Sequence, residues 1–237
     1  MISPVLRAAG LVREFGAVVA VDGVDLSLAK GEFLTIFGPN GAGKTSLLGL
    51  LAGAIRPTRG EVWFRGKTLD FGEVEWRHRI GVLSHQGFLY GNLTAEENLR
   101  FYGQLYRLSD IDQVVSQKLE HLGIQEHASS LVRDLSHGMR QRLALARALL
   151  HDPDVILLDE PYTGLDPSAA LLLQSVLSEL KDGQRTVIMV THNLSEGLAL
   201  ATTVAIMNYG CFVWHGKCAE LGSDFGQFYH GVIEERG

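Results

Sequence analysis

Apolar positions along this chain follow a strand period first and a helix period later. Val24, Leu26 and Leu28 alternate with Asp25 and Ser27, which gives a strand one buried face and one wet face. Lys30 and Gly31 mark a turn. Phe33 to Phe37 is then an unbroken apolar run of strand length that stops at Gly38. After Lys44 the spacing changes. Leu47, Leu48, Leu50 and Leu51 predict a helix that ends near Gly53 and Pro57. Glu61 to Phe64 predicts a further strand, closed by Gly66.

From about Gly87 to Leu150 the pattern is helical. Thr94 with Glu97 forms the signature of a capping box, and Leu99, Tyr102, Leu105 and Tyr106 follow on one face. Ser109 with Asp112 predicts a second start, followed by Val115, Leu119 and Leu122 and stopped by Gly123. A third helix is expected from Met139 to Leu150, ahead of Pro153. Then strands and helices alternate again. Val155 to Leu158 and Val187 to Val190 read as buried strands, Ser168 to Leu180 and Ser195 to Ala201 as helices. Val204 to Met207 and Phe212 to Trp214 read as a hairpin around Tyr209 and Gly210. Apolar strands alternating with helices imply an α/β fold, a mostly parallel sheet covered by helices on both faces. The tail from Gly222 to Gly237 carries no motif and is expected to dock on the surface.

Composition narrows the choices. The chain has 237 residues and a formal charge of -6, which argues against a general nucleic-acid binder. Its two cysteines, Cys211 and Cys218, match no zinc or redox spacing and suit a reducing compartment. The N-terminus lacks the pattern of a signal peptide. No apolar run approaches the roughly 20 residues a spanning helix needs, so membrane contact is expected only through a partner.

The segment GPNGAGKT, Gly38 to Thr45, carries the densest chemistry. Gly38, Gly43, Lys44 and Thr45 have P-loop spacing, between a predicted strand and a predicted helix. Glycines let successive backbone N–H groups turn toward phosphate oxygens, and the helix adds its positive end. Pro39, Asn40, Gly41, Ala42 and Ser46 complete the expected cradle. Lys44 can reach the β- and γ-phosphates, and the Thr45 hydroxyl can ligate magnesium. VILLDE, Val155 to Glu160, ends a buried strand in two carboxylates. Asp159 is placed to hold Mg2+ through its water shell, and Glu160 to polarise an attacking water, because ligands bind beyond the carboxyl ends of parallel strands.

Further segments choose among P-loop enzymes. LSHGMRQRLALARAL, Leu135 to Leu149, resembles the ABC signature. HQG around Gln86 resembles the Q-loop, and His192 after Val187 to Val190 resembles the switch histidine. Their order is that of ABC ATPases, and the resemblance covers practically the whole chain. It implies one ABC ATPase domain over 1–237. Segments 1–86 and 151–237 would form a RecA-like core with antiparallel β elements, and 87–150 a helical subdomain carrying the signature. It also implies roles. Phe15 would stack on adenine. Gln86 would touch magnesium or the attacking water and sense a membrane partner. Ser136 and Gly138 would reach the γ-phosphate of ATP held by a second ATPase subunit in a homodimer. Asp166 would contact that dimer, and His192 would hold the γ-phosphate and the water. ATP and Mg2+ are the implied ligands, a transmembrane permease the implied partner, and the cytoplasmic side of the inner membrane the implied location.

The signature departs from the family pattern where His137 replaces a glycine and Met139 a glutamine, which puts the turnover rate in question. Tyr90 to Tyr106, Asp159 to Asp166 and Thr191 to Ala201 are most similar to the ATPases of heme exporters in cytochrome c biogenesis. Exporters of drugs, lipids or polysaccharides use nearly the same motor and stay open as alternatives. So do a soluble ABC ATPase and a nucleotide-binding regulator without turnover.

Overall fold

A computed structural model of the chain describes residues 3–70, 72–73, 75–84, 87–181, 183–222 and 224–234. Two sheets organise it. The first is antiparallel, in the order β2 (Val18–Leu28), β1 (Leu6–Phe15), β4 (Arg59–Phe64), β5 (Lys67–Thr68). The second has the order β10 (Cys211–Lys217), β9 (Thr203–Asn208), β3 (Phe33–Phe37), β8 (Thr186–Thr191), β7 (Val155–Asp159), β6 (Ile80–Leu83). Strands β9, β3, β8, β7 and β6 pair in parallel, and only β10 is antiparallel to its neighbour.

The parallel sheet is buried on both faces, so alternate residues of one strand enter different cores. Val155 and Leu157 face α1 (Lys44–Leu51) and the antiparallel sheet, joining Leu47, Leu50, Leu51, Leu26 and Val62. Ile156 and Leu158 face the other way, onto α2 (Ala95–Leu105), α3 (Ile111–His121), α4 (His137–Ala148) and α5 (Pro167–Glu179). This two-sided burial explains why these strands read as continuous apolar runs. A smaller core joins Phe37, Val204 and Ile206 to Phe225 of α7 (Phe225–Glu234), beyond α6 (Leu194–Leu200).

Local details both match and correct the sequence pattern. The capping box at α2 forms, with Thr94 Oγ1 accepting from Glu97 N at 3.1 Å and Glu97 Oε2 accepting from Thr94 N at 2.8 Å. The start expected at Ser109 does not. Helix α3 begins at Ile111 behind Asp110, which has φ 53° and makes no side-chain cap. Helix α4 begins two residues before the expected Met139, because Ser136 caps it by accepting from Met139 N at 3.2 Å. The tail contains α7, whose Phe225, Phe228, Tyr229, Val232 and Ile233 have helical spacing.

Candidate nucleotide site

The loop 38–45 runs from the end of β3 into α1. Its glycines are required for two different reasons. A Cβ at Gly38 would lie 2.2 Å from the Met207 carbonyl oxygen, and one at Gly43 would lie 2.1 Å from that of Ala20. At Gly41 nothing lies within 4 Å, but φ is +83°, a region side chains avoid. Strands β2 and β9 therefore press the loop into shape, and Gly210 N donates to Ala42 O at 3.0 Å behind it. Neither Ala20 nor Met207 carries a local signal that sequence inspection could find.

Lys44 is buried and folds over its own loop, its Nζ donating to Gly38 O at 2.7 Å and Pro39 O at 3.0 Å. Burial lowers its pKa, while the nearby Glu160 and Asp159 charges oppose that shift. At the end of β7, Asp159 is 4% exposed and accepts from Thr45 Oγ1 at 3.1 Å. These are hard oxygen donors. Mg2+ typically takes one or two protein ligands and fills its octahedron with water and phosphate oxygens. Thr45 and Asp159 fit that demand. Among the described residues no cluster of three or more His, Cys, Asp or Glu side chains could hold a metal by itself.

Glu160 follows with φ 48°, its N–H donating to Val190 O of β8 at 3.0 Å. That pairing bends the chain so the carboxylate turns across β8. One oxygen accepts from Thr191 Oγ1 at 3.1 Å, and the other lies 2.9 Å from His192 Nδ1. Both carboxylate oxygens accept, so Nδ1 is the donor. Thr191 is 1% exposed, and this buried hydroxyl was not singled out by the sequence. Glu196 of α6 lies near enough that Glu160 adds to the burial which raises its pKa.

Lys44, Thr45, Asp159, Glu160 and His192 thus form one cluster at the carboxyl ends of β3, β7 and β8. The remaining expected residues sit elsewhere. Phe15 lies at the end of β1, 45% exposed, with the Arg13 guanidinium 4.4 Å from its ring centre. Ser136 is an exposed helix cap, and Gly138 packs against Leu165 and Ala169. Asp166 caps α5, its Oδ1 accepting from Ala169 N at 2.9 Å and Ser168 Oγ at 2.6 Å. Ser46 sits half-buried in the first turn of α1. Gln86 lies outside the described residues.

A cleft of about 510 Å³ opens beside the cluster. Thr45 and Asp159 form one end, and Leu48, Ile55, Phe88, Tyr102 and Tyr106 form its mostly apolar walls. Arg147 lies under it, its guanidinium 5.4 Å from the Phe88 ring and 5.3 Å from the Tyr102 ring. Phe88 is 50% exposed, Tyr90 50% and Leu105 57%.

A family profile described as ABC transporter matches residues 21–163. The chain is 37% identical to the ABC transporter ATP-binding protein NatA of Bacillus subtilis, over 86% of this chain and 84% of that one. It is 34% identical to the Nod factor export ATP-binding protein I of Cupriavidus metallidurans, over 97% of this chain and 78% of that one. Among solved structures, it is similar to an ATP-binding cassette in a dimeric, post-hydrolysis state bound to ADP and Pi. There the TM-score is 0.82 and the identity 27%, covering 90% of this chain and 98% of that one.

Proposed function

The chain belongs to the ABC transporter family, and from that premise we propose that it is the motor of an exporter whose membrane-spanning part is a separate subunit. It is the ATP-binding subunit of an ABC transporter, and an ATPase. Such subunits dimerise and work with transmembrane components. No helix among the described residues is long and apolar enough to cross a membrane. Export is supported by the relative named for Nod factor export. Heme as cargo has no support from the relatives named above, so the cargo is proposed only as an exported one.

The observation that carries the mechanism is the pair of hydrogen bonds on Glu160, from Thr191 and His192. They fix a carboxylate next to Asp159, where it can accept a proton from a water attacking the γ-phosphate. Lys44 would leave the Gly38 and Pro39 carbonyls for the β- and γ-phosphates, whose negative charge is the better partner. Thr45 and Asp159, with Gln86, would hold Mg2+, which supplies charge neutralisation between the phosphates. With His192 Nδ1 committed to Glu160, Nε2 is the ring nitrogen that would face the γ-phosphate. Residues 38–46 would wrap the triphosphate, and Phe15 would stack on adenine. Ser136 and Gly138 of a second copy would close the site across the interface, with Asp166 beside them. Within the single domain 1–237, segment 87–150 would be the subdomain that receives the permease, and the apolar cleft lined by Phe88, Tyr102 and Tyr106 supports that reading. The subunit would then sit at the cytoplasmic face of the inner membrane through this partner.

Phosphate release by purified protein tests the proposal. Wild-type chain should hydrolyse Mg-ATP with a rate that rises with protein concentration. Glu160→Gln should bind a fluorescent ATP analogue as wild type does, but turn over at least about 100-fold more slowly. Undiminished hydrolysis by Glu160→Gln would remove the assigned role, and absence of hydrolysis by wild type would remove the motor.

A further inference from the structure

His137 stands where the family signature has a glycine, and its side chain makes a contact that glycine could not. Its Nε2 lies 3.0 Å from the carbonyl oxygen of Thr163. A carbonyl only accepts, so Nε2 carries the proton and donates. One helical turn later, Gln141 Nε2 donates to the Pro161 carbonyl at 2.9 Å. Residues four apart share a helix face, so both side chains of α4 reach the same loop. The ring lies so close to Gly164 that a Cβ there would be 3.0 Å from Nε2, and Gly164 has φ +73°.

That loop begins at Glu160. Thr163 N donates to Glu160 O at 3.2 Å, and Leu165 N to Tyr162 O at 3.2 Å, so the segment is two successive turns. Its far end is Asp166, the cap of α5. The clamp therefore joins the helix capped by Ser136 to the turn that starts at the carboxylate.

We propose that His137, with Gln141, is a positioning residue that couples the signature turn to Glu160 of the same subunit. This rests on the dimeric ATPase function proposed above. In that dimer Ser136 and Gly138 meet the γ-phosphate bound by the partner. Engagement at one site then bears on the carboxylate of the other through two side-chain hydrogen bonds. His137 touches neither substrate nor water, so its removal acts on turnover and cooperativity rather than on nucleotide affinity.

The test compares substitutions that place an N–H differently. Gln puts its amide nitrogen near the position of Nε2, and Asn near that of Nδ1. His137→Ala and His137→Asn should lower kcat roughly fivefold, the worth of one hydrogen bond, with ATP KM within about twofold of wild type. The Hill coefficient for ATP should fall toward unity in both. His137→Gln should restore kcat and cooperativity. Circular dichroism reports folding, and the Gln–Asn pair carries the comparison if the alanine variant is unstable. The proposal is overturned if His137→Ala keeps wild-type kcat and Hill coefficient, or if Asn rescues as well as Gln. Loss of all hydrolysis in wild type would instead remove the motor function on which the proposal rests.

Discussion

Replacing Gly43 by alanine tests whether the phosphate loop is shaped by its surroundings or only by its own flexibility. Gly43 has φ 101° and ψ 2°, and its Cβ position lies 2.1 Å from Ala20 O and 3.0 Å from the Met207 methyl carbon. The left-handed backbone alone costs alanine about 1–2 kcal/mol. The collision adds to this, because the loop or β2 must retreat by more than about 1 Å to reach ordinary contact. A shift of that size turns the N–H groups around Gly43 and Lys44 away from the phosphates. Two misaligned bonds to a charged group are worth roughly 3–6 kcal/mol together. Binding of a fluorescent ATP analogue should weaken by about a thousandfold, at 1.4 kcal/mol per decade. Gly41→Ala is the control. It has φ +83° and open space around its Cβ position, so only the backbone penalty applies. That variant should lose about tenfold. Thermal melts would check that both fold. Equal losses in the two variants, or binding by Gly43→Ala within about tenfold of wild type, would refute the argument that Ala20 and Met207 impose the glycine.

Other outcomes follow from single residues. Phe15→Ala should weaken ATP and GTP alike by about tenfold, because stacking is worth roughly 1–3 kcal/mol per base and tolerates any base, and Phe15→Trp should restore binding. Asn98 is 0% exposed, accepts from Tyr90 N at 2.8 Å, and donates to Tyr90 O at 3.0 Å and Thr94 O at 2.9 Å. Asn98→Leu should therefore lose about 3 kcal/mol in urea unfolding, mainly from buried backbone groups left unpaired. His151 stacks on Tyr106 at 3.9 Å, and burial lowers its pKa to about 4. Between that value and about 6.5 the unfolded chain binds a proton that the fold refuses, so stability falls as pH falls through the window. Between about pH 7.5 and pH 5 this group should remove about 2 kcal/mol, and His151→Phe should flatten that slope in paired urea titrations.

The legible parts of this chain were those whose signal is local. Val155 to Leu158 announces a strand because each residue enters one of two cores. Thr94 and Glu97 announce a helix start because the reciprocal bonds span only three residues. Strand β1 was harder to read. Its pairing with β2 shifts register between Ala8 and Leu11 and again near Arg13, which breaks the alternation that periodicity relies on. The false start at Ser109 shows the limit from the other side. Asp110 reaches helix entry through a left-handed backbone, so the expected hydroxyl cap has nothing to accept. Helix α7 carries a local signal too, its apolar spacing and its cap, Asp224 Oδ1 accepting from Gln227 N at 2.9 Å, so the helix in the tail lies within reach of the same reasoning.

The candidate site divides along the same line. Residue types named Lys44, Thr45, Asp159, Glu160 and His192, since each chemistry needs one kind of group. What binds them together is long-range: Ala20 and Met207 behind the loop, Thr191 beneath Glu160, and the clamp from His137. Asp166 shows that a local and a distant role need not compete. Both bonds that cap α5 fall on Oδ1, and they lower the pKa of its carboxyl. The charge is therefore kept while neither bond uses Oδ2. A carboxylate held this way can fix the helix on its own chain and still offer an acceptor across an interface. Asp166→Asn should then keep much of the cap, because asparagine is as good an N-cap as aspartate. A selective loss of ATP-driven dimerisation in that variant, measured by light scattering, would place the missing charge at the subunit boundary, whereas a matching loss of helix stability would confine Asp166 to capping.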